Sequence, residues 1–290
     1  MTKSKIIIGL LILSSLPSLA ALGKKISGPG FDADAFIRQN AETAGWLCVY
    51  DAVAWRTTDV LLKENEEDLK RLGGEWFCFQ TKDENWHAVY GKYENDKMNV
   101  VLHYLIDPNF KISRTSEPIE ATFLDLHARA LITANNQYKE IRNSVQLRFN
   151  QYIKQNEDKT FTVWIFPAFQ PDGFAIYGGE FIYKIDPAGT KVLEDNSYYQ
   201  GKFKGFKADG SKEVWLDYTE LEKPTLGGVF FVLYYKKYFK SIFLDYKYSF
   251  STLFKSGENE KETYIWLHKQ KDVKKEVKKA GAKDKKKVMK

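Results

Sequence analysis

Residues 117–142 read EPIEATFLDLHARALITANNQYKEIR, and this stretch decides the fold of the chain. Pro118 suits the first turn of a helix, because its φ is fixed and it has no N–H to leave unpaired. Apolar residues then recur at steps of three and four, the spacing of one helical face: Phe123, Leu126, Ala130, Ala134, Tyr138 and Ile141. We therefore predict one long amphipathic helix over 118–142, with Phe123 buried on its apolar face.

The residues that follow supply a partner for this helix. Runs rich in β-branched and aromatic residues lie at 145–153, 160–167 and 174–185, separated by polar turn sequences. Strands joined by short turns form an antiparallel meander. Gly178 and Gly179 interrupt the third run, which favours a β-bulge over a ligand-contacting loop.

A second group of strand-like segments precedes the helix. Residues 75–81, 86–93 and 98–106 have the same β-branched and aromatic character, and a tight turn at 94–97 joins the last two. The sequence therefore predicts an α+β fold, β-rich, in which antiparallel meanders pack on one long central helix and short additional helices complete the structure.

The other segments are shorter or ambiguous. Residues 32–40 suit a short helix, and 46–55 suit a strand because its aromatic residues alternate. The Thr-Thr-Asp sequence at 57–59 suits the cap of a helix that ends near residue 72. Aromatic residues are so dense from 228 to 239 that neither helix nor strand is favoured. Further strands are predicted at 198–207, 213–219, 241–250 and 262–268.

The N-terminus has the order of a secretory signal peptide. Lys3 and Lys5 precede an apolar run at 6–13, and small residues follow it, with Ser18 and Ala20 at the −3 and −1 positions of a cleavage site. The apolar run is shorter than the roughly 18 residues that a membrane anchor needs. We expect an exported protein, periplasmic or extracellular, with these parts: a signal peptide at 1–20, a linker at 21–30, a globular region at 31–268 and a tail at 269–290.

The region 31–268 is predicted as a single α+β domain, and the alternative is two β-rich halves about the helix at 118–142.

The net charge of this region differs from that of the whole chain. The chain carries net +6, but residues 269–290 contain eleven lysines and three acidic residues, so the globular region is acidic. A nucleic-acid-binding fold is therefore not expected.

The tail at 269–290 is too poor in apolar residues to fold on its own, and we predict that it is disordered. Its lysines suit loose, salt-sensitive contact with an anionic envelope surface. The alternative is a tail that only confers solubility. No other partner can be named from the sequence.

Four histidines are the candidates for acid–base chemistry: His87, His103, His127 and His268. None has the short spacing of a zinc site, and we expect neither a metal nor a cofactor. His127 lies near the apolar face of the predicted helix, with Glu120 two turns earlier on a similar face. A buried His with a carboxylate partner can act as a general base, but a core histidine bonded to a backbone carbonyl is the commoner arrangement.

The relation between His87 and His103 depends on the turn that joins their strands. An even turn at 94–97 places His87 opposite Tyr104 and turns His103 to the other face, whereas a three-residue turn places the two histidines opposite each other. The turn contains no glycine, so the even version is favoured. No serine or cysteine lies beside a histidine in the sequence, and no phosphate-binding loop is present.

The cysteines are two in number, Cys48 and Cys78, and export would carry them to an oxidising compartment. If both lie on strands, adjacent strands can bring them together, and we predict a disulfide between them.

The sequence supports two classes of function. The first is a binding or structural protein of the cell envelope, and the alternative is an exported hydrolase whose acid and base are not identifiable.

Overall fold

The computed structural model describes residues 32–256 and 263–271. The predicted signal peptide and linker and most of the predicted tail lie outside the described residues. The start of that tail belongs to the fold, because Lys269 and Gln270 pair with Phe250 and Ser249 in a sheet. The α+β class is confirmed, and strands outweigh helices.

The longest helix is not the predicted one. The helices are α1 (Ala33–Leu61), α2 (Glu66–Arg71), α3 (Ala121–Gln137), α4 (Lys139–Ser144) and α5 (Leu226–Tyr235). The predicted helix at 118–142 is therefore two helices, α3 and α4, and they meet at Tyr138, whose φ of −103° and ψ of 9° are not helical. The ambiguous segment 228–239 begins in α5.

Helix α1 replaces three predicted elements, and the strand predicted at 46–55 is wrong. Asp32 caps the helix through the backbone N–H of Ala35 at 3.0 Å. Thr57, predicted to start a new helix, instead lies inside α1, where its hydroxyl donates to the carbonyl of Val53 at 2.8 Å. A threonine that bonds back to the preceding turn continues a helix and does not cap one.

Three sheets are present in the described residues. The first sheet has the order β1 (Glu75–Gln80), β2 (Trp86–Glu94), β3 (Lys97–Ile106) and β4 (Ile112–Arg114). The second is formed by β5 (Phe149–Gln155), β6 (Phe161–Pro167), β7 (Phe174–Ile185) and β8 (Val192–Asp195), with β9 (Tyr198–Lys207) paired to β7. The register of β9 shifts at Gly178, whose φ is +103°, so the predicted bulge is confirmed.

The third sheet departs from the antiparallel prediction. It comprises β10 (Asp209–Tyr218), β11 (Phe239–Tyr246), β12 (Ser249–Ser256) and β13 (Thr263–Gln270) in that order. Strands β10 and β11 are parallel, and α5 is the crossover between them. Parallel neighbours need such a crossover, because a tight turn can only join antiparallel strands.

The first and second sheets lie between α1 and α3. Neighbouring residues of one strand enter opposite cores, as strand geometry requires. On β1, Cys78 belongs to the core around α1 and Phe77 to the core around α3. On β5, Tyr152 and Ile153 divide in the same way. The two sheets are thus packed on both sides by helices.

The buried face of α3 is rotated from the predicted one. Its fully packed side carries Leu124, Ala128 and Leu131 as well as the predicted Ala130 and Ala134. Phe123 is only half-buried, with its ring 4.9 Å from that of Phe79. The rotation has a physical cause, because both sheets contact α3. Together they bury a wider face of the helix than the single apolar stripe that the spacing predicts.

Glu180 on β7 is a buried carboxylate in this framework. It accepts a hydrogen bond from the backbone N–H of Gly227, in the first turn of α5, and another from the Thr225 side chain. Burial raises the pKa of Glu180 to about 7, although these donors favour the ionised form. A β-carbon on Gly227 would collide with this carboxylate, so the close approach requires glycine.

The stability of the protein should depend on the ionisation of Glu180. Its folded pKa of about 7 lies above the usual 4.5, so the folded state retains the proton in that interval. The contribution is complete below about pH 4.5 and is lost as pH rises through about 7, by about 3 kcal/mol in all. The lowered pKa values of the buried histidines make stability rise with pH instead. The measurement therefore compares the wild type with Glu180→Gln, because both proteins contain the same histidines.

Urea unfolding at about pH 5 and about pH 8 checks this linkage. We expect the Glu180→Gln variant to gain about 2.5 kcal/mol relative to the wild type between the two pH values, because the amide does not ionise and part of the total change occurs below pH 5. Parallel pH profiles for the two proteins would contradict the raised pKa.

Candidate functional sites

Among the clefts of the described residues, two large ones contain polar and titratable side chains. One, of about 720 Å³, we name the histidine cleft, because His87 and His127 line it. The other, of about 920 Å³, we name the basic cleft after the arginines and lysine at its walls. Of the predicted candidates, His87, His127 and Glu120 line the first cleft, whereas the second cleft contains none of the predicted histidines.

His127 is a core histidine. It is 2% exposed, and its Nδ1 lies 2.7 Å from the carbonyl of Phe123, to which it donates. Its ring stacks on Phe77 at 5.1 Å and meets Phe161 edge-on at 5.0 Å. Burial lowers the pKa of His127 to about 4. The imidazole is therefore neutral at physiological pH and a weak base.

Glu120 lies on the wall of the same cleft but is not bonded to His127. It occupies the N-cap position of α3, where its side chain makes no capping hydrogen bond. The partner of His127 Nδ1 is a backbone carbonyl, which leaves no described contact through which Glu120 could orient the imidazole. The structure thus brings the two predicted residues to one cleft without pairing them.

His87 and His103 form the closest pair of histidines. The Nδ1 of His87 is 2.8 Å from the Nε2 of His103, and the prediction that they face opposite sides of the sheet is wrong. The turn is even, with Glu94 paired to Lys97 as predicted, but a bulge at Tyr90 and Gly91 shifts the register beyond it. One extra residue turns every later side chain to the other face.

The bonding of this pair fixes the tautomers. His103 donates to the backbone carbonyl of Glu117, so its Nε2 accepts the proton of His87 Nδ1. Burial lowers the pKa of both rings, that of His103 to about 4. His87 stacks on Phe79 at 4.9 Å. Its Nε2 is left as the acceptor nitrogen on the wall of the histidine cleft.

A serine also lies against a histidine, which the sequence did not indicate. Ser251 Oγ is 2.6 Å from His268 Nδ1, and Asp34 Oδ1 is 3.1 Å from His268 Nε2. Ser251 is completely buried and bonds to the hydroxyl of Tyr246 at 2.8 Å. Because no substrate can reach a sealed hydroxyl, these contacts join β12 and β13 to the start of α1.

The predicted disulfide is absent from the structure, in which Cys48 and Cys78 are both free thiols. The strand position assumed for Cys48 is wrong, because it lies on α1. Cys78 is buried on β1, and burial raises the pKa of its thiol.

Within the described residues, no group of three or more metal-ligating side chains comes together. None of the helices in this part of the chain is long and apolar enough to cross a membrane.

The basic cleft is built around Asp51 on α1. Asp51 is 3% exposed, and its Oδ1 accepts from Asn150 Nδ2 at 2.6 Å and from the Tyr152 hydroxyl at 2.8 Å. The hydroxyl of Tyr234 on α5 donates to the same carboxylate. Burial raises the pKa of Asp51, whereas the three donors favour its ionised form. These bonds fix the inner wall of the cleft.

Cationic side chains line the cleft at four positions: Arg56, Arg142, Arg148 and Lys237. None of them forms a salt bridge with a described residue. Arg56 lies over the ring of Phe110 at 4.7 Å, and Lys237 over the ring of Tyr238 at 4.9 Å. Carboxylates at the cleft are Asp51 and Glu75. The cleft therefore has an excess of positive charge in a chain whose folded part is acidic.

Aromatic rings and amides complete the lining of the basic cleft. Trp55 is 62% exposed, and Trp76 stacks on Tyr90 at 6.2 Å. The amide of Gln151 is held by Asn135 at 2.9 Å and donates to the Trp76 carbonyl at 3.1 Å. Rings and oriented amides beside cations suit a polar ligand with at least one negative group.

One signal for this cleft is present in the sequence. Asp51, Trp55 and Arg56 are spaced at four and five residues, so a helix presents them on neighbouring turns. In a strand at 46–55, as the sequence predicts, that spacing has no such meaning.

Comparisons with known proteins found no match: no protein-family model matches the chain, and we found no similar curated protein or solved structure.

Removal of the Asp51 carboxylate should destabilise the protein. In Asp51→Ala, the buried donors of Asn150 and Tyr152 lose their acceptor, at about 1–3 kcal/mol for each group left unpaired. We expect a loss of at least about 2 kcal/mol in the free energy of unfolding, measured by urea titration. The exposed Asp59→Ala on the same helix is the control, and equal stability of the two variants would show that the network contributes nothing.

Proposed function

We propose that this chain is an exported binding protein whose ligand is a small anionic molecule held in the basic cleft. The observation that carries the proposal is the set of four cationic side chains around one cleft without a salt bridge to a described residue. Arg142 donates to the hydroxyl of Tyr138, but no described carboxylate neutralises any of the four, so their combined positive charge favours an anionic ligand in the cleft.

The chemistry of the walls defines the ligand class. Arginine guanidinium groups bind carboxylate and phosphate oxygens in a bidentate manner, and Arg148 and Arg142 are both exposed at the cleft. The exposed ring of Trp55 offers an apolar face for a sugar or another ring. A phosphorylated or carboxylated sugar combines these two features, and a neutral sugar lacks the first.

Isothermal titration calorimetry with a panel of probes tests the proposal. The panel is inorganic phosphate, citrate, glucose 6-phosphate and uncharged glucose. We expect binding of at least one anion and none of glucose. We expect Arg148→Gln to weaken that binding about tenfold, because one charge-assisted hydrogen bond contributes about 1.5–3 kcal/mol.

Two variants serve as controls. Lys63→Gln removes an exposed cation that lines neither cleft, and Glu120→Gln changes the wall of the histidine cleft. Both should bind the anion as the wild type does. Absence of binding for every anion, or equal weakening by Lys63→Gln and Arg148→Gln, would refute the proposal.

We also propose export to the periplasm or the cell exterior, on the basis of the N-terminal order of charged, apolar and small residues. The mass of the protein recovered from the expressing cell's exported fraction is the measurement. We expect a chain that begins at Ala21. Recovery of the uncleaved chain in the cytoplasmic fraction would exclude export.

The second candidate function is an exported hydrolase at the histidine cleft. It is favoured by one observation, the presence of His87, His127 and Glu120 on the walls of a single cleft. Against it stands the lowered pKa of His127, which makes this imidazole a weak base. The binding proposal has the stronger support, because its side chains need no further residue to act.

A further inference from the structure

The outer face of the third sheet is apolar and exposed. Its inner face packs on α5, with Val214, Leu216, Ile242 and Leu244 buried. Residues that alternate with these point outward, and several of them are among the most exposed large apolar side chains of the described chain: Trp215 at 45%, Phe254 at 57%, Ile265 at 47% and Leu267 at 49%. A face of this kind marks an interaction surface.

The pairing register makes this face continuous. Trp215 pairs with Phe243, Phe243 with Thr252, and Thr252 with Leu267, which forms one row across all four strands. Phe254 and Ile265 form the beginning of a parallel row. The rings of Trp215 and Phe243 stack at 4.2 Å, and Phe250 meets Trp215 edge-on at 5.5 Å. Rows of neighbouring side chains thus form a contiguous apolar patch.

The outward-facing acidic residues of β10 and β11 each form a salt bridge with a lysine. Glu213 pairs with Lys240 at 3.0 Å, Asp217 with Lys204 at 3.1 Å, and Asp245 with Lys271 at 2.7 Å. No unpaired carboxylate of β10 or β11 on this side would therefore repel an anionic surface.

The lysine-rich segment follows this face directly. Lys269 lies on the outer face, opposite Phe250, and is the first of the eleven lysines in residues 269–290. The sequence of that segment contains no Leu, Phe, Trp or Ile, so its attraction to a membrane would be mainly electrostatic. Stable membrane attachment needs two signals, such as apolar contact and a basic segment. The sheet supplies the signal that the lysine-rich segment lacks.

We propose that the outer face of the third sheet is a docking surface for an anionic lipid bilayer, and that the lysines of the sequence at 269–290 add electrostatic attraction to it. Trp215 and the neighbouring phenylalanines enter the interfacial region, where aromatic rings are favoured. The positive charge of the lysines attracts acidic headgroups, and salt screens that attraction. The surface is separate from both clefts and does not depend on the nature of the small ligand.

Vesicle flotation with the full chain tests this surface. The vesicles are phosphatidylcholine alone and phosphatidylcholine with about 30% phosphatidylglycerol, each at about 0.05 M and about 0.5 M NaCl. We expect binding only to the anionic vesicles, weakened at least about tenfold by the higher salt. Binding that is equal on both kinds of vesicle, or absent from both, would overturn the proposal.

Variants of the full chain separate the two signals. The first, Phe254→Ser with Leu267→Ser, removes apolar side chains of the sheet, and the second changes every lysine from 274 to 290 to glutamine. Each should reduce binding at least about tenfold, because two signals act together. The control Leu193→Ser removes an apolar side chain on β8 that is 47% exposed and should bind as the wild type does. If only the lysine variant loses binding, the sheet does not dock and the proposal fails.

A fluorescence measurement tests contact by the sheet itself. Brominated lipids quench tryptophan at the interface, and we expect the quenching to fall in Trp215→Phe, because Trp266 lies on the inner face of this sheet and the other five tryptophans of the chain lie outside it. Unchanged quenching, or dimerisation of the free protein that Phe254→Ser abolishes, would assign the face to another partner and overturn the proposal.

Discussion

The buried carboxylate of Asp51 is the interaction on which the arrangement of the elements depends. A carboxylate far from water is tolerated only when donors surround it, and the donors come from elements distant in the sequence. Asn150 and Tyr152 belong to β5, about a hundred residues after α1, and Tyr234 belongs to α5. Helix α1 is thereby fixed against the second sheet and the crossover helix at one point.

The position of this network also explains why a cleft forms beside it. Strands β1 and β5 are neighbours, but they are not hydrogen-bonded into one sheet. The contact between them passes through a side chain, the amide of Gln151 on the carbonyl of Trp76. Where two sheet edges meet through side chains, the surface has a gap, and α1, α4 and α5 close around it. The cations of the basic cleft line this gap.

Strand positions were predictable from the sequence, and the first helix was not. The runs 75–81, 86–93, 98–106, 160–167 and 174–185 all became strands, because β-branched and aromatic residues alternate or fill them. Residues 46–55 have the same composition and are helical. Trp46 and Tyr50 are one turn apart in α1, with rings 5.3 Å apart, and tertiary packing of that face overrides the local preference.

The histidine pair shows how a correct local prediction can fail one step later. The even turn at 94–97 is present, but Gly91 allows the backbone of β3 to approach so closely that no β-carbon fits there. A glycine inside a strand is a signal of a bulge, and the register shifts at Gly91 as it does at Gly178. The pairing of His87 with His103 therefore depended on a residue that carries no side chain.

The contact between Asp34 and His268 brings the first turn of α1 to within 3.1 Å of the last strand. The first helix and the last described strand are consequently neighbours in space. A short covalent link between residues near 32 and 271 would span a gap that the fold already closes, so it would restrict mainly the unfolded chain, whose entropy falls when a long loop is closed. The chain could then be circularly permuted, with new termini at an exposed turn elsewhere, because the packing of the elements does not depend on their order in the sequence.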